Sequence, residues 1–385
     1  MFRQELLQLE KQHLLRRLTI VESCDGPYIT INGKRLLLMC SNDYLGLAGH
    51  PVLREAASLA MDRYGFGSVA SRLVSGTSTL HRELEQKIAR FKGAEAALAF
   101  NSGYAANTGI IPAIAGEGDV ILSDSLNHAS IIDGCRLSKA EVKVYRHCDV
   151  DHVEDLLKKS FYAHRTLIVT DGIFSMDGDI APLPELASLA EKYGSVLMVD
   201  DAHATGVLGD TGRGTTEHFG LAGQVPVQMG TLGKALGSFG AFVAGGRTLI
   251  DYLVNRSRSF IFSTALPPMV CAASIAALDI VDREPERREN LRKNRERFVQ
   301  GLLSLGIAIA DSETPIVPLM IGGSEKALTV SEKLLEYGIY AAAIRPPTVP
   351  EGAARIRTTI TATHSAEDID NALGIFDRLK REGYL

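Results

Sequence analysis

The residue in this chain best placed to do chemistry is Lys234. It lies in Thr231-Leu-Gly-Lys-Ala-Leu-Gly237, followed by Ser238-Phe-Gly240 and an apolar run from Ala241 to Ala244. Small and apolar residues surround it, with Gly230, Gly233, Gly237 and Gly240 close by. Glycines at that density let the backbone turn sharply and let a bulky group approach. A lysine held there loses part of its preference for the charged form and becomes a usable nucleophile or base. Taken alone, a solvated charge in a glycine-rich loop is the better reading. A second stretch shifts the balance.

That stretch is Val196-Leu-Met-Val-Asp200-Asp201-Ala202-His203. Four apolar residues followed by two acids and a histidine describe a buried strand that delivers polar groups at its carboxyl end. In open α/β sheets ligands bind at that edge. A lone acid there is usually a turn residue. An Asp-Asp-Ala-His cluster followed by a glycine-caged lysine is harder to dismiss. A pyridinium cofactor needs an acid for its ring nitrogen and a lysine for its aldehyde.

Three more motifs sit at apparent strand ends. Phe100-Asn-Ser-Gly103-Tyr104-Ala-Ala-Asn107 reads as strand, glycine turn and helix start, a geometry whose free N–H groups suit an anion. Most glycine turns are only turns. Asn127-His128-Ala-Ser130 offers a histidine that a helix cap explains equally well. Asp171-Gly-Ile-Phe-Ser175-Met-Asp-Gly178-Asp179 is explained by turn chemistry without any function. No Walker A, G-x-G-x-x-G or G-x-S-x-G pattern is present, so nucleotide-binding and serine-hydrolase readings lack support.

Taken in order, from Ser41-Asn-Asp-Tyr-Leu-Gly-Leu47 to Arg355-Ile-Arg357, these motifs resemble the α-oxoamine synthase family of pyridoxal-phosphate enzymes. The resemblance implies a fold-type-I transferase that uses pyridoxal 5'-phosphate. It assigns Lys234 as the lysine that carries the cofactor and moves the α-proton, Asp200 as the acid on the ring nitrogen, and His128 as the residue stacked on the ring and reaching substrate. Gly103 and Tyr104 amides and the Thr231 hydroxyl match the phosphate site, His203 the partner of the phenolic oxygen, and Ser175 a neighbour of cofactor and substrate carboxylate. Ala204 stands where the family more often has glycine. Arg357 matches the carboxylate-binding arginine, which suits a planar fork, and Asn42 lies on the amino-acid side. Thr264 matches a loop that reaches a neighbouring subunit's phosphate, implying a homodimer with shared sites. In Ala343-Ile-Arg345-Pro-Pro-Thr348-Val-Pro350 the sequence is similar to the pimeloyl-using branch. There Thr348 and an N-terminal arginine, Arg16 or after a one-residue shift Arg17, contact substrate.

The expected reaction is condensation of L-alanine with a pimeloyl thioester, carried on coenzyme A or on an acyl carrier protein, with release of carbon dioxide. The alternative is a ligase joining glycine and acetyl-CoA to give 2-amino-3-ketobutyrate. A catalytically dead partner subunit is a third reading, which the presence of Lys234, Asp200, His128 and His203 argues against.

These residues need elements to position them. Leu6, Leu7, Leu9, Leu14, Leu15 and Leu18 recur at roughly helical spacing, which predicts an opening amphipathic helix with Arg16 and Arg17 on its later turns. Tyr28 to Met39 reads as a hairpin around Asn32-Gly33. From Pro51 onward helices alternate with short apolar strands, predicting an α/β fold with a large, mostly parallel sheet covered on both faces. Past Val281 the composition shifts. Asp282 to Arg297 reads as the charged face of a long connecting helix, followed by a smaller α+β region. The expected division is an N-terminal helix and hairpin segment (1–45), a large cofactor-binding domain (46–281) and a small C-terminal domain (282–385).

Composition sets the outer bounds. The net charge of −5, without a basic run, argues against nucleic acid as a partner. The five cysteines are scattered, odd in number and form no C-x-x-C pair, so neither a disulfide framework nor a metal site is expected. Reduced thiols, an N-terminus unlike a signal or transit peptide, and no apolar run of spanning length predict a cytoplasmic protein away from membranes.

Overall fold

The computed structural model describes residues 2–385. They fall into two compact units. One comprises the chain up to Gly49, the short insert Ser175–Asp179 and Glu286–Leu385; the other comprises His50–Phe174 and Ile180–Pro285.

The second unit is built on a seven-stranded sheet. Its order is Ala96–Phe100, Ala241–Gly245, Val227–Thr231, Val196–Asp200, Thr166–Asp171, Val120–Asp124 and Glu141–Tyr145. The last five run parallel, and Ala241–Gly245 is antiparallel to both of its neighbours. Val120–Asp124, Thr166–Asp171 and Val196–Asp200 each carry a run of Val, Ile, Leu or Met because both faces are covered. Successive residues serve opposite cores. Leu167 and Val169 pack with Ile110, Ile131 and Leu253 on one face, while Ile168 packs with Leu157, Leu186 and Ala190 on the other. Four of the five parallel strands end in Asp124, Asp171, Asp200 and Thr231. Polar residues are thus tolerated where the covering layer stops.

In the first unit the hairpin forms as its Asn32-Gly33 turn demands, with φ of 50° and 71° at the two turn residues. Its second strand, Lys34–Leu38, pairs in parallel with Ile339–Tyr340, so N-terminal and C-terminal chain share one sheet. A second, three-stranded sheet consists of Ile316–Gly322, Ala354–Thr359 and Ala342–Ile344.

Two expectations need correction. The opening helix covers only Phe2–Lys11. His13 adopts φ of 56°; the His13 N–H returns to the Glu10 carbonyl at 3.0 Å, and the Leu14 N–H to the Leu9 carbonyl at 2.8 Å. That left-handed cap ends the helix, and leaves Arg16 and Arg17 beyond it. The charged stretch after Val281 is likewise not one helix. Pro268–Arg283 stops and Glu286–Ser304 starts afresh, because Pro285 disfavours helical backbone at Glu284, which sits at φ −120° and ψ 64°. Among the described residues no helix is long and apolar enough to cross a membrane.

Candidate active site

Asp171 and Asp200 end neighbouring parallel strands and stand in register with each other. Both are buried. Oδ2 of Asp200 accepts from Asn107 Nδ2 at 2.8 Å, and Oδ1 from the Ala202 N–H at 3.0 Å. Burial pushes the Asp200 pKa up, while the Lys234 charge, the Asn107 and Ala202 bonds and His128 pull it back. Asp171 is pushed well above the carboxylate range, first by burial and then by the Asp200 charge; its bond from the His128 N–H, at 2.7 Å, and the Lys234 charge act against this. Two adjacent buried carboxyls cannot both ionise cheaply. With Asp200 better solvated by donors, the Asp171 pKa is raised the further of the two.

Lys234 lies half-buried in the bend after strand Val227–Thr231. The bend is closed by Leu232 N–H to the Gly240 carbonyl and Ser238 N–H to the Leu232 carbonyl, both at 2.9 Å. Gly240 has φ of 102°, and a Cβ there would come within 2.8 Å of the Phe100 carbonyl oxygen, so the loop requires glycine. His128 caps helix Ala129–Ser138, its Nδ1 accepting from the Ser130 N–H at 3.2 Å. Desolvation lowers its pKa and Lys234 lowers it further, against the pull of Asp200. The capping role and a role toward a ligand are compatible, because only one edge of the ring is engaged.

Gly103 and Tyr104 open helix Gly103–Ile114, whose first-turn N–H groups have no acceptors within the helix. A Cβ on Gly103 would lie 3.0 Å from Thr231 Cγ2, so the bare backbone is what lets the two meet. Thr231 Oγ1 donates to the Ala202 carbonyl at 3.1 Å, tying this end to the turn that carries buried His203. Ala204 is fully buried in the same turn. Thr264 is tied to the turn that precedes Gly103: its carbonyl accepts from Asn101 Nδ2 at 2.7 Å, and it bridges to Ser71.

The first unit gathers a separate group. Arg357, buried on strand Ala354–Thr359, donates through Nε to the Ser175 carbonyl at 2.5 Å and through Nη2 to Asn42 Oδ1 at 3.1 Å and Tyr44 Oη at 3.4 Å. Its fork is held in place before any ligand arrives. Arg16 Nη2 donates to Thr348 Oγ1 at 3.3 Å, whereas Arg17 pairs with Glu10 at 3.1 Å. The two neighbouring arginines thus have different partners.

Several residues of these groups carry no motif of their own. Asn107 is a fully buried polar residue on the inner face of its helix, joined to both Asp200 and Ser130; a polar residue on a buried stripe was its signal. Asp171, readable as turn chemistry, is a buried strand end. Asp201, beside Asp200, faces another way: it is paired with buried Lys92 at 2.9 Å and accepts from the Thr215 hydroxyl at 2.5 Å. Among the described residues Asp124, His147 and Cys148 form the one cluster with a metal-type donor set. The carboxylate already accepts from the Leu126 and Cys148 N–H groups and lies 2.9 Å from His147 Nδ1.

An open strand edge bearing an acid, a lysine and an anion-ready helix start is the arrangement of a pyridoxal-phosphate enzyme. The chain belongs to the class I and II aminotransferase family, whose pattern it matches over residues 34–376. It is 54% identical over 376 residues to the 8-amino-7-oxononanoate synthase of Geobacter metallireducens, covering 97% of this chain and 96% of that one. In structure it is similar to serine palmitoyltransferase from S. paucimobilis bound to PLP and myriocin (TM-score 0.95, 32% identity, 99% and 97% of the two chains). It is also similar to 8-amino-7-oxononanoate synthase from Francisella tularensis (TM-score 0.77, 29% identity, 91% and 99%). The fold is that of the fold-type-I pyridoxal-phosphate transferases.

Proposed function

We propose that the chain condenses L-alanine with a pimeloyl thioester, releasing carbon dioxide and the thiol carrier to give 8-amino-7-oxononanoate for biotin synthesis. The observation that carries this is identity of 54% across 97% of the chain with a protein of that name. It works in the cytoplasm as a homodimer with shared sites, in which Thr264 reaches the neighbouring subunit's phosphate group. The acyl group arrives on coenzyme A or on an acyl carrier protein.

The residues of the large sheet fit pyridoxal 5'-phosphate. Gly103 leaves the space that a Cβ would fill, beside Thr231 and a helix start whose first N–H groups precede any acceptor in the helix, the Ala105 N–H being capped by Ser102, which suits a phosphate. At the other end Asp200 is buried among donors that favour its charged form, which suits a ring nitrogen that must stay protonated. When bound, the cofactor supplies an electron sink for carbanion chemistry at the amino-acid α-carbon.

The chain's own residues do the rest. Lys234 would hold the cofactor through its aldehyde and would take up and return the proton at the substrate α-carbon. Asp200, aimed by Asn107, would pair with the charged ring nitrogen. His128 would cover the ring face and exclude water, His203 would bond the phenolic oxygen, and Ser175 would neighbour the cofactor. Arg357, braced by Asn42 and Tyr44, receives the amino-acid carboxylate as a bidentate partner. Arg16 and Thr348 meet the acyl substrate.

The test is product analysis with two substrate pairs. L-alanine with pimeloyl-CoA is expected to give 8-amino-7-oxononanoate by mass, at a specificity constant far above that for glycine with acetyl-CoA. Equal or reversed constants would promote the ligase reading.

A further inference from the structure

Helix Ala129–Ser138 is capped by His128, and the partners of that ring fix where its proton sits. Nδ1 accepts from the Ser130 backbone N–H at 3.2 Å. A backbone N–H can only donate, so Nδ1 must be the bare nitrogen. The Ser130 hydroxyl lies 2.7 Å from the same atom. Ser130 is buried, and its oxygen accepts from Asn107 Nδ2 at 2.9 Å. The second N–H of that amide goes to Asp200 Oδ2 at 2.8 Å. A charged carboxylate takes only donors, so the amide cannot be turned the other way. Its Oδ1 stays buried without a partner, a cost borne for this orientation. With Asn107 donating into Ser130, the single hydroxyl proton of Ser130 is directed at His128 Nδ1. Donation therefore runs outward from Asn107, to Asp200 on one side and through Ser130 to His128 on the other. Two donors on Nδ1 leave the proton of a neutral ring on Nε2. The ring is kept neutral by desolvation and by the Lys234 charge, which together outweigh the Asp200 charge. Among the described residues the bonds of the ring are all at Nδ1, so the Nε2–H remains for a ligand.

We propose that Ser130 is a positioning residue that locks His128 in its Nε2–H form, so that the ring offers a donor to an oxygen of the bound substrate. This rests on the reading given above, in which His128 lies over the cofactor and faces the substrate. A bare Nε2 could take up the α-proton; an Nε2–H cannot, which leaves that proton to Lys234. The acceptor is an oxygen of the amino-acid carboxylate or of the thioester carbonyl, and the experiment separates the two.

The first measurement is the tautomer itself, by nitrogen NMR of the holoenzyme isotope-labelled at histidine. The His128 signals are those missing from His128→Asn. A protonated Nε2 and a bare Nδ1 are expected; a proton on Nδ1, or one shared equally between the nitrogens, overturns the proposal. The second is a double-mutant cycle on kcat/KM with L-alanine and pimeloyl-CoA. Ser130→Ala keeps the backbone N–H and removes the hydroxyl. It is expected to lose about tenfold in the native background and less than about twofold in His128→Asn. Equal losses in the two backgrounds would assign Ser130 to the support of Asp200 and overturn the proposal, as would no loss in the native one. Exchange of the L-alanine α-proton, measured without thioester, locates the acceptor. A loss already present there puts it on the amino-acid carboxylate, and a loss confined to full turnover puts it on the thioester carbonyl; either upholds the lock. Should the alanine variant not fold, the native tautomer decides alone. A native enzyme that makes no 8-amino-7-oxononanoate fails the reading of the reaction, while the tautomer still tests the lock.

Discussion

At the carboxyl edge of the large sheet, Asp171 and Asp200 are buried, aligned by strand register and held by donors from three different elements. The segment around Arg16 and Thr348 is the opposite. It is exposed, has no regular structure, and the contact between the pair spans 3.3 Å. The difference follows from what each must recognise. A resident cofactor needs electrostatics fixed in advance, since every reorientation is paid again in each turnover. An acyl chain that comes and goes is better met by cations that solvent keeps charged until the ligand arrives. On the proposed reading, chemistry sits in the packed sheet and selectivity at the exposed edge.

The largest expected effect lies on the sheet side. Lys234→Ala should lower turnover by at least about 10²–10⁴-fold, the general-base share alone. Borohydride reduction of the native holoenzyme should place pyridoxyl mass on the peptide containing Lys234. Label on another lysine would break the comparison at its root.

Next come the two adjacent acids. Asp200→Asn should leave a folded protein that exchanges the α-proton of L-alanine poorly, because the ring nitrogen loses its anionic partner. Asp201→Asn should do the reverse, destabilising the fold by about 3–5 kcal/mol as Lys92 is left charged and buried, while surviving protein keeps its exchange rate. Near-normal exchange by the Asp200 variant would exchange the roles of the two.

How much of this was legible in the sequence differs between the regions for the same reason. Apolar runs ending in Asp200 and Thr231 announce buried strands with polar ends, so the sheet and the order of its motifs can be read directly. Whether Asp200 or Asp201 faces the lysine cannot, because that depends on Lys92, far away in sequence. Asp171 reads as turn chemistry until the register sets it beside Asp200. The opening helix was over-extended because leucine spacing continues past His13, whereas a left-handed cap interrupts it. Arg345 lies within the Ile-Arg-Pro-Pro-Thr stretch, but its bond to the His13 carbonyl, far away in sequence, is not legible from it.

A smaller effect separates the regions by pH. Burial raises the Asp171 pKa well above its ordinary value, so the folded state binds a proton that the unfolded state releases. That contribution is fully present below the ordinary carboxylate pKa and is lost as pH rises through the raised folded value. Asp171→Asn, neutral at every pH, should therefore be the more stable protein at alkaline pH, with the gain shrinking as pH falls. Thermal melts of both apo proteins across that range are the measurement. A pH-independent difference would mean that Asp171 and Asp200 do not compete for charge.

The smallest expected effect is also the sharpest test of the exposed edge. Arg16 and Arg17 are neighbours of the same type, both exposed, both past the end of the opening helix. They differ in partners: Arg16 reaches Thr348, and Arg17 is neutralised by Glu10. A surface ion pair such as Arg17–Glu10 contributes about 0–1 kcal/mol, so Arg17→Ala should alter neither stability nor kcat/KM by more than about twofold. Arg16→Ala removes the cation beside Thr348 and should cost about tenfold or more with pimeloyl-CoA, appearing in KM rather than kcat. Because that loss is electrostatic and solvent-exposed, added salt should shrink it. If the alanine variants at 16 and 17 behave alike, the contact with Thr348 carries no selectivity, and the edge of the molecule is only surface.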